Sequence, residues 1–182
     1  MRTVIIAEAG VNHNGKINLA LKLVDYAAKA KVDYVKFQTF LADELVQKNL
    51  KLAKYQRKNF GKKISAYKML KKFELSKLDH KKIIERCDKR NIRFLSSPFD
   101  IKSIKFLNQL KLKNFKIPSG EITNIPYLRK IGSLKKKIIL STGMSKLEEI
   151  DKALKILIKC GTKKKILHCY IVVQNILLIQ II

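Results

Sequence analysis

The sequence predicts a parallel α/β protein, specifically a (β/α)8 TIM barrel with about six of its eight βα units present. Three observations carry this. Short β-rich runs alternate with longer amphipathic stretches along almost the whole chain, the pattern of a parallel sheet with helical crossovers. Nearly every β-rich run ends on polar residues. A barrel builds its site from the ends of many strands, whereas an open doubly wound sheet gathers its ligand loops at one switch point. The apolar fraction is 47% over 182 residues, enough for the core of one domain of ordinary size.

The first strand is expected at Thr3–Ala7, ending on Glu8. "NHNG", Asn12–Gly15, reads as a turn in which Asn14-Gly15 supplies positive φ. Asn12 and His13 are assigned to loop structure, His13 as a hydrogen-bonding residue rather than a ligand. In Asn18–Lys31, Leu19, Leu23, Tyr26, Ala27 and Ala30 recur at helical spacing, with Asn18 as N-cap. The second strand, Asp33–Phe37, places Lys36 and Gln38 on one face and Phe37 on the other. Residues 41–78 are expected to hold a loop and an extra helix. "DHKKIIERCDKR" is a further helix, with His80 on its surface. The third strand, Arg93–Ser96, runs into Ser97, and "IKSIKFLNQL" is the helix after it. The fourth, Asn114–Ile117, carries Lys116 and leads into Ser119-Gly120-Glu121. The fifth, Lys137–Leu140, ends in Ser141-Thr142-Gly143. The following helix opens on Ser145 with Glu148 as a capping box and closes at Gly161. The sixth strand, Lys165–Leu167, ends at His168.

Composition narrows the function classes. Forty Lys+Arg against 14 Asp+Glu give a net charge of +26, a field that attracts anions. Gln47–Lys72 holds ten basic residues and no acid. It reads as a solvated face that binds nucleic acid only nonspecifically, with a basic nucleic-acid-binding module without catalysis as the alternative function of another class. Cys87, Cys160 and Cys169 are far apart, as reduced thiols of a cytoplasmic protein are. The opening apolar run is broken by Glu8, too early for a signal peptide. No Walker loop, dinucleotide fingerprint or histidine pair at i, i+4 is present.

The strand ends suggest one ligand. Two lysines on neighbouring walls, Lys36 and Lys116, call for a doubly charged anion. Hydroxyls and backbone N–H groups at Ser97, Ser119 and Ser141 suit phosphate or carboxylate oxygens. Glu8 and Glu121 suit proton or water handling. A small molecule carrying both phosphate and carboxylate fits this set.

In order and spacing, "IIAEAGVNHNG", "VKFQTF", "FLSSPFD", "FKIPSGEITN", "ILSTGM" and "ILHC" resemble the bacterial N-acetylneuraminate (sialic acid) synthases, from about Val4 to Cys169. The resemblance implies a (β/α)8 barrel, followed in the family by a small antifreeze-like domain, acting as a homodimer. It implies condensation of phosphoenolpyruvate with open-chain N-acetylmannosamine, or with the acceptor that yields diacetyllegionaminate, assisted by manganese or magnesium. Carried over by position, Lys36, Ser97, Lys116, Ser119 and Ser141 would hold phosphoenolpyruvate. Gln38 would contact the acylamino sugar, and Glu8 and Glu121 would stand near the reacting carbons. Ser97 keeps the hydroxyl where relatives often have threonine. The family's two metal-binding histidines match no residue here.

Tyr170–Ile182, "YIVVQNILLIQII", departs from the pattern. It has 13 residues, short of the roughly 20 apolar residues of a membrane span. Back-translated with allowed codons and read in another frame, it yields Ser-Thr-Glu-Tyr-Pro-Thr, the loop the family has there. The expectation is a shifted frame after residue 169, with the antifreeze-like domain absent. An open arc with an uncharged tail is expected to be poorly soluble and inactive when made alone.

Overall fold

Two three-stranded parallel sheets organise the chain. The computed structural model describes residues 3–52 and 64–170, in two compact units that divide between Ser103 and Ile104. The tail 171–182, and with it the expected change of frame, lies outside the described residues, as does 53–63 of the basic run. In the first unit the sheet order is β1 (Ile6–Gly10), β2 (Tyr34–Thr39), β3 (Arg93–Pro98). In the second it is β4 (Asn114–Ile117), β5 (Lys137–Ser141), β6 (Leu167–Tyr170). Neighbouring strands are parallel throughout, so each connection within a sheet crosses over through helix. These helices are α1 (Ile17–Lys29), α2 (Ala42–Leu45), α3 (Ala66–Phe73) and α4 (Lys77–Lys89) in the first unit, and α6 (Ile125–Ser133) and α7 (Leu147–Lys159) in the second. Between β3 and β4 lies α5 (Ile101–Gln109). No described helix is long and apolar enough to cross a membrane.

In the first unit, alternation along the strands sorts side chains cleanly. Ala9, Val35 and Phe37 pack with Ala20, Val24 and Ala27 of α1 and with Ile83 and Cys87 of α4. Burial of the Cys87 thiol among them pushes its pKa up to about 12. Asp25 of α1 accepts from Arg86 and Arg90 of α4 at 2.6–2.9 Å. Arg86 beside it holds the Asp25 carboxyl down at about 2. A second cluster joins Phe40, Leu52, Ala66, Met69 and Phe73, so α3 keeps one buried face despite the basic run in which it lies. In the second unit Phe115, Ile117, Ile138 and Leu140 are buried. There α6 and α7 approach so closely that a Cβ on Gly132 would lie 2.8 Å from Cys160 Cβ.

Several expectations are corrected. β1 begins three residues later than Thr3, because Ile5 does not pair as a strand residue. Its N–H donates to Asp33 Oδ2, its carbonyl accepts from Asp33 and Tyr34, and its side chain is 55% exposed. Glu8 therefore sits inside β1, and a bulge follows between Glu8 and Gly10. β6 likewise starts at Leu167, after a 3-10 turn at Lys164–Ile166. Lys16, not Asn18, occupies the N-cap of α1, held by Lys16 N–H donating to His13 O. The box opening α7 is shifted by one: Glu149 Oε2 accepts from Lys146 N–H at 2.7 Å. Gly161 does follow the C-cap, at φ +113°.

The largest correction concerns His80, which is 1% exposed rather than on the surface. His80, Ile83 and Cys87 are the buried residues of α4, spaced i, i+3, i+7, so the imidazole belongs to the core-facing stripe of a very basic helix. His13 is also fully buried. Burial lowers the pKa of both imidazoles below the ordinary 6.5. The unfolded chain thus takes up protons near 6.5 that the folded chain refuses until lower pH. Their contribution to stability is complete above pH 6.5 and is lost as pH falls through the folded values. The urea midpoint is expected to drop between pH 7.5 and 5.5, a range in which Asp25 stays ionised; a flat profile would contradict this.

Candidate functional site

Register gathers the first half of the set. Glu8 pairs with Lys36 and Gln38 with Ser97, so all four stand on the sheet face opposite Phe37. Lys36 Nζ lies 2.5 Å from Glu8 Oε2, with side chains 12% and 31% exposed. The other carboxylate oxygen, Glu8 Oε1, is buried without a hydrogen-bond partner. Gly10 lies alongside: a Cβ there would stand 3.2 Å from Glu8 Oε1 and 3.8 Å from Gln38 Nε2. The Ser97 hydroxyl is buried near the end of β3. This face thus offers an ammonium, an acceptor with unused capacity, an amide and a hydroxyl.

The second unit repeats the logic. Lys116 pairs with Ile139, two residues before Ser141, so its side chain runs up the strand face toward the β5 end. Its ammonium donates to Ser141 Oγ at 2.6 Å and to Ile117 O at 2.9 Å. After Pro118 the chain makes a 3-10 turn, Ser119–Glu121, which places Ser119 and Glu121 just beyond β4. Glu121 Oε2 accepts from Asn124 Nδ2 at 2.7 Å, and Asn124 Oδ1 accepts from Tyr127 N–H to cap α6. The turn is therefore fastened to a helix start. Each unit assembles its own candidates at the C-terminal ends of its strands.

His13 is placed as loop structure, as expected. Its Nδ1 accepts from Gly15 N–H at 3.0 Å, and its buried Nε2 has no partner. Sequence reasoning missed a buried chain behind the first face. Thr39 Oγ1 lies 2.9 Å from His80 Nε2 and 2.7 Å from Ser96 Oγ. The signal was the i, i+3, i+7 stripe through His80, which the charge of the flanking residues obscured. For a divalent cation the described residues do not fit. Glu8 is engaged by Lys36 and Glu121 by Asn124, and no three His, Cys, Asp or Glu side chains gather among them.

Residues 23–172 match the profile of the NeuB family. The chain belongs to the NeuB family. It is 53% identical to the N,N'-diacetyllegionaminic acid synthase of Campylobacter jejuni over 92% of its own length and 51% of that protein's. To the enzyme of the same name from Legionella pneumophila it is 49% identical, over 85% of this chain and 43% of that one. Among solved structures, the N-acetylneuraminic acid synthetase of Leptospira borgpetersenii, in complex with citrate, superposes with a TM-score of 0.79 at 31% identity. That match covers 96% of this chain and 55% of the other. This NeuB chain spans about half the length of the curated relatives it matches.

Proposed function

We propose that this NeuB chain carries the phosphoenolpyruvate-binding part of a nonulosonate synthase built on a (β/α)8 barrel. In this reading the synthase joins phosphoenolpyruvate to the open-chain aldehyde of an N-acylated amino sugar. C3 of the enolpyruvate bonds to the aldehyde carbon, whose oxygen takes up a proton. Water adds at C2, and the tetrahedral intermediate expels phosphate to leave a 2-keto acid. Lys36, Ser97, Lys116, Ser119 and Ser141 hold the phosphate and carboxylate oxygens, because ammonium and hydroxyl donors match their charge and geometry. Gln38 meets the sugar amide. Glu8 Oε1, buried and without a donor, takes a hydroxyl of sugar or water, and Glu121 stands at the other carboxylate position. Two diacetyllegionaminic acid synthases at 53% and 49% identity support the 2,4-diacetamido acceptor over N-acetylmannosamine. The divalent ion of the family, manganese or magnesium, takes its ligands from outside the described residues in this reading. When bound, it supplies Lewis acidity toward the aldehyde.

One observation carries the reading: the Lys116 ammonium is held at 2.6 Å from the hydroxyl of Ser141, the last residue of β5. A calorimetric titration of the chain with phosphoenolpyruvate tests it. Saturable binding is expected, weakened about 30-fold or more in Lys116→Ala, since losing one charged partner of a desolvated anion costs about 2–5 kcal/mol. Binding unchanged by Lys116→Ala, or only salt-sensitive capture of any oligonucleotide, would overturn it.

A further inference from the structure

We propose that His80 is a positioning residue for Gln38 and Ser97, acting from the opposite side of the sheet through Thr39 and Ser96. Thr39 follows Gln38 and Ser96 precedes Ser97, and Gln38 is paired with Ser97 in the register. The side chains of Thr39 and Ser96 therefore flank the Gln38–Ser97 rung on the reverse face. One step beyond, Phe99 N–H donates to Thr39 O at 3.0 Å, and the chain then leaves the sheet for α2. A rung this close to a strand end frays unless side chains hold it.

The hydrogens assign themselves in one direction. His80 Nδ1 lies 2.9 Å from Ser76 O, and a carbonyl can only accept, so Nδ1 carries the proton of the neutral ring. Nε2 is then an acceptor, and the Thr39 hydroxyl donates to it at 2.9 Å. The Thr39 oxygen in turn accepts from Ser96 Oγ at 2.7 Å, with Phe37 O a second acceptor for Ser96 at 3.2 Å. The far end of the chain is fixed as well: Ser76 N-caps α4, with Ser76 Oγ accepting from Asp79 N–H and Asp79 Oδ2 accepting from Ser76 N–H. Thr39, His80 and Ser96 are 5%, 1% and 0% exposed.

Apolar side chains would serve packing alone on this face, where Val35 and Phe37 already lie in the core. Three buried polar side chains there cost desolvation unless every one is satisfied. Once satisfied, they select a single geometry rather than a family of packings. The geometry so selected is the twist and spacing of β2 and β3 at the rung where an amide and a hydroxyl project toward the ligand. Apolar packing is tolerant of shifts of a few tenths of an ångström, but a hydrogen-bonded ligand is not.

For its ligands this assignment rests on the functional reading above, so the test separates the two. His80→Gln keeps an acceptor within reach of Thr39, whereas His80→Asn keeps only the contact to Ser76. Thr39→Val removes the bridging hydroxyl at constant shape. Calorimetric titration of the full chain with phosphoenolpyruvate should show affinity reduced about tenfold in His80→Asn and Thr39→Val, and within about twofold of the parent in His80→Gln, on the scale of one net hydrogen bond. Parental affinity in all three variants overturns the proposal. So does an equal loss in all three that tracks their urea midpoints, since that is the signature of a purely structural histidine. Should His80→Asn fail to fold, Thr39→Val carries the same comparison with His80→Gln. If the parent binds no phosphoenolpyruvate, the functional reading fails and the ligand-free chain decides the positioning role by NMR. Gln38 side-chain amide and Ser97 N–H resonances displaced in His80→Asn and Thr39→Val, but not in His80→Gln, support it; undisplaced resonances overturn it.

Discussion

Under the function proposed above, Lys36→Met is expected to abolish measurable phosphoenolpyruvate binding, with a loss of about 100-fold or more, and to destabilise the fold as well. The Lys36 side chain is 12% exposed and its ammonium faces Glu8 Oε2, while Glu8 Oε1 already lacks a partner. Removing the cation leaves a carboxylate with neither oxygen compensated. Breaking a fully buried pair costs about 3–5 kcal/mol. Glu8 is 31% exposed, so solvent screening brings the expected cost to about 1–3 kcal/mol. Binding suffers separately, because the anion loses an ammonium and gains an uncompensated negative neighbour. The double variant Lys36→Met with Glu8→Gln separates the two effects. It should recover the urea midpoint, since no charge is left unpaired, but not anion binding. Recovery of binding in the double variant would show that Lys36 serves only to neutralise Glu8.

Gly15→Ala should have the largest effect on the fold, a loss of about 2–4 kcal/mol from combined backbone strain and overpacking. Gly15 sits at φ +74°, and a Cβ there would fall 1.9 Å from the carbonyl oxygen of Lys72. That oxygen is backbone in the last turn of α3 and cannot rotate away as a side chain would. Either the turn after β1 or α3 must move. Movement of the turn also costs the 3.0 Å bond from Gly15 N–H to His13 Nδ1, leaving both nitrogens of a buried imidazole unsatisfied. Gly120 supplies the control. A Cβ there meets nothing within 4 Å, so Gly120→Ala should change stability by less than about 0.5 kcal/mol. Equal urea midpoints for Gly15→Ala and the parent would refute the argument.

Much of this protein was legible along the chain. The alternation of β-rich and amphipathic runs placed all six described strands, two of them with their first residues correct and Asn114–Ile117 at both ends. Lys36 and Gln38 were assigned to one face by period-two counting alone, and the register bears that out. Boundaries drifted where local apolarity pointed the wrong way. Val4 and Ile5 read as strand, yet they are 49% and 55% exposed, because Asp33 takes the Ile5 backbone before the sheet can. Gly15 was read correctly as a turn residue, but not as the point where α3 touches.

Periodicity and residue type at fixed positions were enough for the parallel α/β class, the order of the elements and the polar groups near the strand ends. How those groups are partnered came from the fold: Lys36 against Glu8 and Lys116 against Ser141. It alone also drew His80 inside, to Thr39 and Ser96. The physical reason is range. Periodicity acts between neighbours a few residues apart, whereas a buried polar group is satisfied by whatever the folded chain brings to it, here from 25 to 57 positions away.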